Sequence, residues 1–461
     1  MFRKLYLKNF KVWGDQLWDN GVELAPVTLL LGTNSAGKTS LLQALLLLKQ
    51  TFQSPDPNLD LNLGGQPGDI ADFGVYKDII HGHTTSNELG FGVTHSRGFG
   101  DREDAIAYRA TFASRMGIPV VSRIVLERSR EGGHSPQATT FSLTRGTGGG
   151  YVLDAMVNES MTDEDHSPST YTSEPSRKYR PERSLFFPWS AVLKLRGSRS
   201  IVQMTSNRLL NIFRRTYYLG PLRDYPKRTY LWSRQRPGEI GPRGEQAVAA
   251  LLASAKESLS ARRIRSGARG LTIVQQVSRW LKEFGIADSL ELKRQGQSRF
   301  YDVIIKRDGR SASLVDVGFG VSQVLPMIVM AYFVPEGSTI IAEQPEIHLH
   351  PLAQSALADL MVEVARERRV QFIVETHSEH MFRRLQTLIA DKQVSRDECR
   401  LYFAKRDDSG NAILEQLRAD PYGKIENWPK NFFGDAIGET ERQMRRMIER
   451  MKQERGGAGN A

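Results

Sequence analysis

The sequence predicts an α/β fold with a parallel sheet at its centre and a β-rich lobe attached, on three observations. Val27-Thr28-Leu29-Leu30-Leu31 is an almost continuous apolar run, as in a strand buried on both faces, and it leads through a glycine-bracketed loop into a strongly apolar helix. Thr339-Ile340-Ile341-Ala342 and Gln371-Phe372-Ile373-Val374 are two more such runs, bracketing a helical pattern over 352–367. Strand, helix and strand in that order build parallel sheets. From about 81 to 200 the chain turns polar, with short β-like runs separated by glycine and serine.

The elements follow in order. Leu5 to Phe10 alternates like a half-buried strand. Ser40 through Gln50 is apolar on nearly every side, so its helix belongs in the interior. Residues 51–80 are rich in turn formers (Ser54-Pro55-Asp56-Pro57, Gly64-Gly65) before the segment Phe73 to Ile80. Val120 to Leu126, following Pro119, is one of the β-like runs, whereas Glu159 to Arg183 lacks apolar periodicity and is expected as a mobile loop. Residues 205–285 read as mostly helical, interrupted by a punctuated segment from Gly220 to Gly244. Phe300 to Ile305 is a strand, and Gly318 to Phe333 is a loop running into an apolar helix. Gly438 to Arg455 is a charged, methionine-bearing helix with a glycine-rich end. There is no internal repeat and no long heptad run, which excludes an extended coiled-coil arm.

Composition narrows the function classes. Of 461 residues, 40% are hydrophobic and 25% charged, enough for one large core or two smaller ones, and unlike a disordered or collagen-like chain. A single cysteine, Cys399, excludes a disulfide scaffold and a zinc site built on paired thiols, and it suits a reducing cytoplasm. The longest apolar stretch, Leu41 to Leu48, is broken by Gln43 and stopped by Lys49, short of the roughly 18 residues of a membrane helix. Met1-Phe2-Arg3-Lys4 leads into alternating residues and not a signal-peptide core. A cytoplasmic protein with no membrane partner is therefore expected. Lysine and arginine number 63 against 52 acidic residues, a net charge of +11. Nucleic acid as an anionic partner is one reading of that charge, and a generally arginine-rich surface is the other.

Gly32-Thr33-Asn34-Ser35-Ala36-Gly37-Lys38-Thr39 fits G-x-x-x-x-G-K-[ST] between a buried strand and a helix. Gly32 and Gly37 free the backbone so that successive N–H groups surround phosphates. Lys38 places a charge on the β- and γ-phosphates, the Thr39 hydroxyl ligates Mg²⁺, and the helix N-terminus adds its partial charge. Asn34, Ser35, Ala36 and Ser40 complete the expected nucleotide-contacting set.

The C-terminal half identifies the class by resemblance. Ala342-Glu343-Gln344-Pro345-Glu346-Ile347-His348-Leu349-His350-Pro351 resembles the Walker B region of ABC-type ATPases in the SMC/RecF/OLD grouping. Asp316-Val317-Gly318-Phe319-Gly320-Val321-Ser322-Gln323 resembles a divergent ABC signature loop, and Val374-Glu375-Thr376-His377-Ser378-Glu379-His380 the switch-histidine segment. Tyr218-Leu219-Gly220-Pro221-Leu222-Arg223 and Gly241-Pro242-Arg243-Gly244-Glu245 look like mid-chain motifs of compact prokaryotic members. The run from Leu401 through Trp428-Pro429 to Phe432-Phe433 looks like the small uncharacterised C-terminal domain of one subfamily. Residues 85–205 have no counterpart in this likeness.

The resemblance implies a P-loop ABC-type ATPase head, RecF/SMC-like, with a β-rich lobe, a helical insertion and a small C-terminal domain. Its divisions are an N-terminal half of the ATPase core (1–84), a β-rich insertion (85–205), a helical lobe (206–299), the C-terminal half of the core (300–395) and the small domain with its charged helix (396–461). It further implies ATP and Mg²⁺ as cofactors, with Thr39 and Glu343 at the metal. A homodimer would form through an ATP sandwich, in which Gly318, Gly320 and Ser322 of one subunit close on the phosphate loop of the other, with a higher oligomer left open.

One departure matters. Most members of the family it resembles carry Asp-Glu where this chain has Glu343 and Gln344. Glu343 still reaches a magnesium-bound water, but an amide is no base near neutral pH. Either Glu346 or His377 takes the place of Gln344 as base, or hydrolysis is slow and ATP mainly holds a conformation; slow turnover with tight ATP binding is the favoured expectation. His348, His350, His377 and His380 are read as turn-packing and nucleotide-sensing residues in preference to metal ligands, since no cysteine or carboxylate completes a tetrahedral set by spacing. Gln66 is a weak candidate for a lid glutamine at Mg²⁺.

Arginines cluster at Arg177-Lys178-Tyr179-Arg180, at Arg196 and Arg199, at Arg214-Arg215, and at Arg262-Arg263-Ile264-Arg265 with Arg269 beyond, as phosphate contacts or as solvated faces. No nuclease constellation, topoisomerase–primase-like module or membrane effector follows, so an OLD-like defence role implies a separate effector protein, a nuclease or toxin. Small ATPases of this grouping are often components of prokaryotic anti-phage systems, which makes an ATP-dependent switch in defence the leading expectation. A RecF-like repair or recombination ATPase and a non-hydrolysing scaffold are the alternatives.

Overall fold

The computed structural model describes residues 1–99, 102–131, 137–157, 169–195, 199–259, 271–429 and 444–447. The chain opens with β1 (Phe2–Lys8), the short β2 (Val22–Glu23), β3 (Val27–Gly32) and α1 (Lys38–Gln53). After a single turn, α2 (Tyr76–Ile79), come β4 (Leu89–Phe99), β5 (Arg102–Arg115), β6 (Ile118–Glu131), β7 (Gln137–Arg145), β8 (Tyr151–Val157) and β9 (Ser169–Thr172). Then follow α3 (Trp189–Val192), α4 (Arg199–Arg214), β10 (Thr216–Leu219), β11 (Tyr230–Leu231), α5 (Ala247–Leu259) and α6 (Ile273–Glu283). A small antiparallel sheet joins β11 to β12 (Ser289–Arg294), β13 (Phe300–Arg307) and β14 (Arg310–Ser313). The C-terminal half adds α7 (Phe319–Phe333), β15 (Thr339–Glu343), α8 (Pro351–Arg368), β16 (Gln371–Glu375), α9 (Glu379–Ala390), β17 (Cys399–Arg406) and β18 (Ala412–Leu417).

The central sheet runs β10-β15-β16-β3-β17-β18, with every pair parallel except the last. Its strands are buried on both faces, which explains the continuous apolar runs. Leu29, Leu31, Ile340, Ala342, Phe372, Val374, Leu401 and Phe403 point into a core shared with α5 to α9. Leu30, Ile341, Ile373 and Tyr402 point the other way, into a core shared with α1, α4 and the second large sheet. Layer, sheet and layer are thus pinned by strand alternation.

That second sheet has eight strands in the order β2-β1-β4-β5-β6-β7-β8-β9, all antiparallel. It accounts for the β-rich region, but β5 and β6 are 14 residues each where the sequence shows only short apolar runs. Only alternate residues, such as Ile106, Tyr108, Ala110 and Phe112, are buried, and the other face stays polar. β1 lies in it, so the sheet bridges the 84/85 boundary.

Several expectations change. Within 159–183, residues 159–168 lie outside the described residues, while Ser169–Thr172 forms an edge strand on β8. An edge strand held by backbone bonds needs no apolar periodicity, so the mobile-loop expectation fails there. Within the expected helical stretch 205–285, Thr216-Tyr217-Tyr218-Leu219 is a strand, since β-branched and aromatic residues favour a pleated surface and four residues are too few to show a period. β17 pairs in parallel with β3 from Cys399↔Val27 to Ala404↔Gly32, so the segment after 396 supplies a strand to the central sheet. Of the helix expected over 438–455, only 444–447 are described, and they are helical. Among the described residues no helix is long and apolar enough to cross a membrane.

Candidate nucleotide site

The carboxyl ends of β10, β15, β16 and β3 converge on one edge of the central sheet, the position at which open parallel sheets bind ligands. Gly32 ends β3 so close to β17 that an added Cβ would stand 2.0 Å from the Ala404 carbonyl oxygen. Gly37 has φ +93°, in the left-handed region, and its Cβ would meet Val12 and Trp13. Trp13 Nε1 donates to the Gly37 carbonyl at 3.1 Å, and Arg406 Nε donates to the Ser35 carbonyl at 2.9 Å, so neighbours from both ends of the chain fix the loop. Asn34 and Ser35 are exposed, Ala36 is buried, and Ser40 is buried in the first turn of α1.

Lys38 Nζ donates to the carbonyls of Gly32 (3.1 Å) and Thr33 (2.8 Å) and lies 3.9 Å from a carboxylate oxygen of Glu375. Thr39 Oγ1 donates to Glu375 Oε2 at 2.7 Å. On the next strand Glu343 Oε1 accepts a 2.8 Å hydrogen bond from the Tyr218 hydroxyl. Burial pushes the Glu343 carboxyl up to about 7, and the neighbouring Glu375 adds to the rise against the Tyr218 bond, Arg223 and Lys11. Glu375 is also raised by burial, opposed by the Thr39 bond and by Lys38. The Tyr218 hydroxyl is pushed above its ordinary range by burial and by Glu343, so it stays a donor.

A hydroxyl and two carboxylates at the mouth of the loop are hard oxygen donors of the kind Mg²⁺ takes together with water and substrate phosphates. The chemistry of Thr39, Glu343 and Glu375 therefore fits the cation.

Gln344 takes φ +44°, and its N–H donates to the Glu375 carbonyl at 2.8 Å. A left-handed glutamine is a costly conformation, held here by that bond. Glu346 is 6% exposed; its Oε1 accepts from the His377 N–H at 2.8 Å, and its Oε2 is buried without a hydrogen-bond partner. Burial raises its carboxyl against the Thr376 and His377 bonds. Partial burial and Lys38 hold the His377 imidazole below its usual range. Glu343, Glu346, His377 and Gln344 thus stand on two adjoining strand ends beside Lys38 and Thr39.

Gly318, Gly320 and Ser322 form a second group at the head of α7. The Ser322 hydroxyl donates to the Phe319 carbonyl at 2.9 Å, and a Cβ on Gly320 would lie 3.5 Å from the His348 carbonyl oxygen. Phe319, 61% exposed, packs its ring against His348, with centroids 6.3 Å apart. The turn from Gln344 to Leu349 joins the two groups through Ile347 N–H to Gln344 O (3.2 Å) and Leu349 N–H to Glu346 O (3.1 Å). His350 caps α8 by accepting from Leu352 N–H at 3.4 Å, and His380 is exposed on α9. Gln66 is exposed in a turn closed by Asp69, whose carboxylate accepts from the Gln66 N–H.

Four residues of the cluster escape sequence reasoning: Glu375, Tyr218, Arg223 and Lys11. Glu375 directly follows an apolar strand run, and Tyr218 and Arg223 lie in a quoted motif, so the carboxyl-end rule would have found three of them once the strands were ordered. Lys11 donates to Gln43 at 2.6 Å and feels Glu343.

Residues 245–382 match the AAA ATPase domain family, and residues 394–443 match the family described as a protein of unknown function (DUF3696). No curated protein matches the chain. Similar solved structures include the SMC head domain from Thermotoga maritima, at 12% identity and TM-score 0.38, covering 91% of this chain and 99% of that one. The SmcHead bound to the C-winged helix domain of ScpA is 12% identical, with TM-score 0.41 and coverage of 90% and 97%. The AAA match holds Glu343, Glu346 and His377, and the phosphate loop opens beside them on the same sheet, so the stretch that resembles an ATPase domain and the phosphate loop share one edge.

Proposed function

We propose that the protein is a Mg²⁺-ATP-dependent dimerising switch with slow turnover, controlling a separate effector in prokaryotic defence. The observation that carries the nucleotide reading is the convergence of Lys38, Thr39, Glu375 and Glu343 at one strand edge. Slow turnover follows from Gln344, whose amide accepts no proton from water, beside a Glu346 carboxylate already half occupied by the His377 N–H. Tight binding with little hydrolysis is what a switch needs, because the bound triphosphate then outlasts the signal. Head-to-tail association is supported by the exposed Phe319 and the open Gly318 at the head of α7, a surface suited to closing over the terminal phosphate of a second copy. The defence role and the effector rest on resemblance to small ATPases of anti-phage systems.

A RecF-like reading has one observation of its own. A groove of about 1170 Å³ near the start of β15 is lined by Arg3, Arg128, Arg208, Arg215 and Arg369 against Asp104 and Glu336, a surface suited to phosphates. Of the expected arginine clusters, Arg180 is engaged by Asp60 and Arg199 by the Leu193 carbonyl, while Arg196 and residues 262–269 lie outside the described residues.

The test is nucleotide binding and phosphate release with and without DNA. Lys38→Ala should weaken Mg²⁺-ATP binding at least about tenfold, and unaltered binding would remove the phosphate-loop assignment. Turnover that DNA does not stimulate favours the switch, and strong stimulation favours the RecF-like reading.

A further inference from the structure

We infer that Arg223 is a catalytic residue that contacts the terminal phosphate of the bound nucleotide. The inference rests on the nucleotide reading of the site given above. Arg223 lies just past β10, in the Tyr218–Arg223 segment that the fold brings beside β15. Gly220 lets this segment turn tightly: a Cβ there would stand 3.0 Å from the Tyr218 hydroxyl and 3.3 Å from the Pro242 carbonyl. The turn is held by Gly220 N–H to Pro242 O at 2.7 Å and Asp224 N–H to Arg243 O at 2.8 Å. Tyr218 is thereby fixed on Glu343, and Arg223 is carried inward while its neighbour Leu222 stays 75% exposed.

Arg223 is only 7% exposed, yet its guanidinium is poorly matched by protein. Nη2 makes one long contact, 3.4 Å, to the Glu343 carbonyl, and both Nε and Nη1 are buried without a hydrogen-bond partner. Buried N–H groups are nearly always satisfied, and a buried cation with open donors is costly enough to require a partner. The acidic atoms nearby are partly committed: Glu343 Oε1 to Tyr218, and Glu346 Oε1 to His377. Those carboxylates surround the guanidinium electrostatically without hydrogen-bonding its free donors. A terminal phosphoryl group at the mouth of the Lys38–Thr39 loop would bring three anionic oxygens to this cluster, and arginine is the side chain best suited to grip them with two donors. In a site whose water-activating position holds an amide, such a cation would contribute by stabilising charge on the transferred phosphoryl.

This role separates ATP from ADP. The experiment measures calorimetric binding of Mg²⁺-ATPγS and Mg²⁺-ADP to the wild type, Arg223→Met and Arg223→Lys, with thermal melts confirming that each folds. Arg223→Met should weaken ATPγS by roughly ten- to a hundredfold and leave ADP within about twofold, with Arg223→Lys between the two. Equal weakening of both nucleotides would assign Arg223 to the packing of Glu343 or Glu346 and overturn the proposal, as would no change in either. A wild type that binds neither nucleotide would overturn the underlying site reading, a separate failure from that of Arg223.

Discussion

On the proposed reading Gln344 takes the position from which a carboxylate would polarise the attacking water, and its backbone is held in place by the bond to the Glu375 carbonyl. Restoring an acid at this place should therefore require no rearrangement. Gln344→Glu is expected to raise saturated turnover at least about tenfold, within the range a positioned general base contributes. Phosphate release under excess Mg²⁺-ATP measures it, and unchanged turnover would move the base to Glu346 or His377. The neighbouring Glu343 makes a different prediction, on stability. Its folded value of about 7 lies above the 4.5 of an ordinary glutamate, so its effect is most favourable below 4.5 and is lost as pH rises through 7. Without nucleotide, Glu343→Gln should stabilise the protein by on the order of 2–3 kcal/mol at pH 8, with the gain fading towards pH 5. Melting temperatures of the two proteins across that range test it; a difference independent of pH would mean that Glu343 is not the titrating group.

At the scale of elements, the sheet was legible where both faces are buried. Val27–Leu31, Thr339–Ala342 and Gln371–Val374 need no partner to be read as strands, because burial on both sides leaves them no polar alternation. β10 and β17 were not legible in the same way. Thr216–Leu219 is too short to show a period, and Cys399–Arg406 carries basic residues at Arg400, Lys405 and Arg406 that disguise a core strand as part of an appended domain. The phosphate loop was legible because its chemistry is local, whereas the Thr39–Glu375 and Tyr218–Glu343 bonds join residues far apart in sequence and exist only once the strand order is known. The approach of β3 to β17 gives a test of that order. Gly32→Ala would drive a methyl against the Ala404 carbonyl, so the loop must shift away from β17. Nucleotide affinity should fall at least about tenfold while the far core stays folded, and the overpacking should cost about 1–3 kcal/mol in denaturant melts. Normal affinity would mean that the β3–β17 register is wrong.

For the whole molecule, the two groups of the site face different tasks. On the proposed reading Lys38, Thr39, Glu343 and Glu375 hold one nucleotide, while Gly318, Phe319 and Gly320 present glycines and an exposed ring at the head of α7. The turn Gln344–Leu349 belongs to both, since it carries Glu346 at one end and supports Phe319 through His348 at the other. If a second copy closes over the terminal phosphate, occupancy of one nucleotide site and contact with the partner become a single event, and association must depend on ligand by mass action. Sedimentation velocity should then give a monomer without nucleotide or with ADP, and a dimer with Mg²⁺-ATP that persists because Gln344 slows its breakdown. Phe319→Asp would place a charge on that surface without touching Lys38 or Thr39. It should leave the affinity of the monomer's site for ADP unchanged and shift the ATP-dependent dimerisation constant by at least about tenfold. A dimer equally stable in all three ligand states, or one indifferent to Phe319→Asp, would mean that α7 does not form the contact.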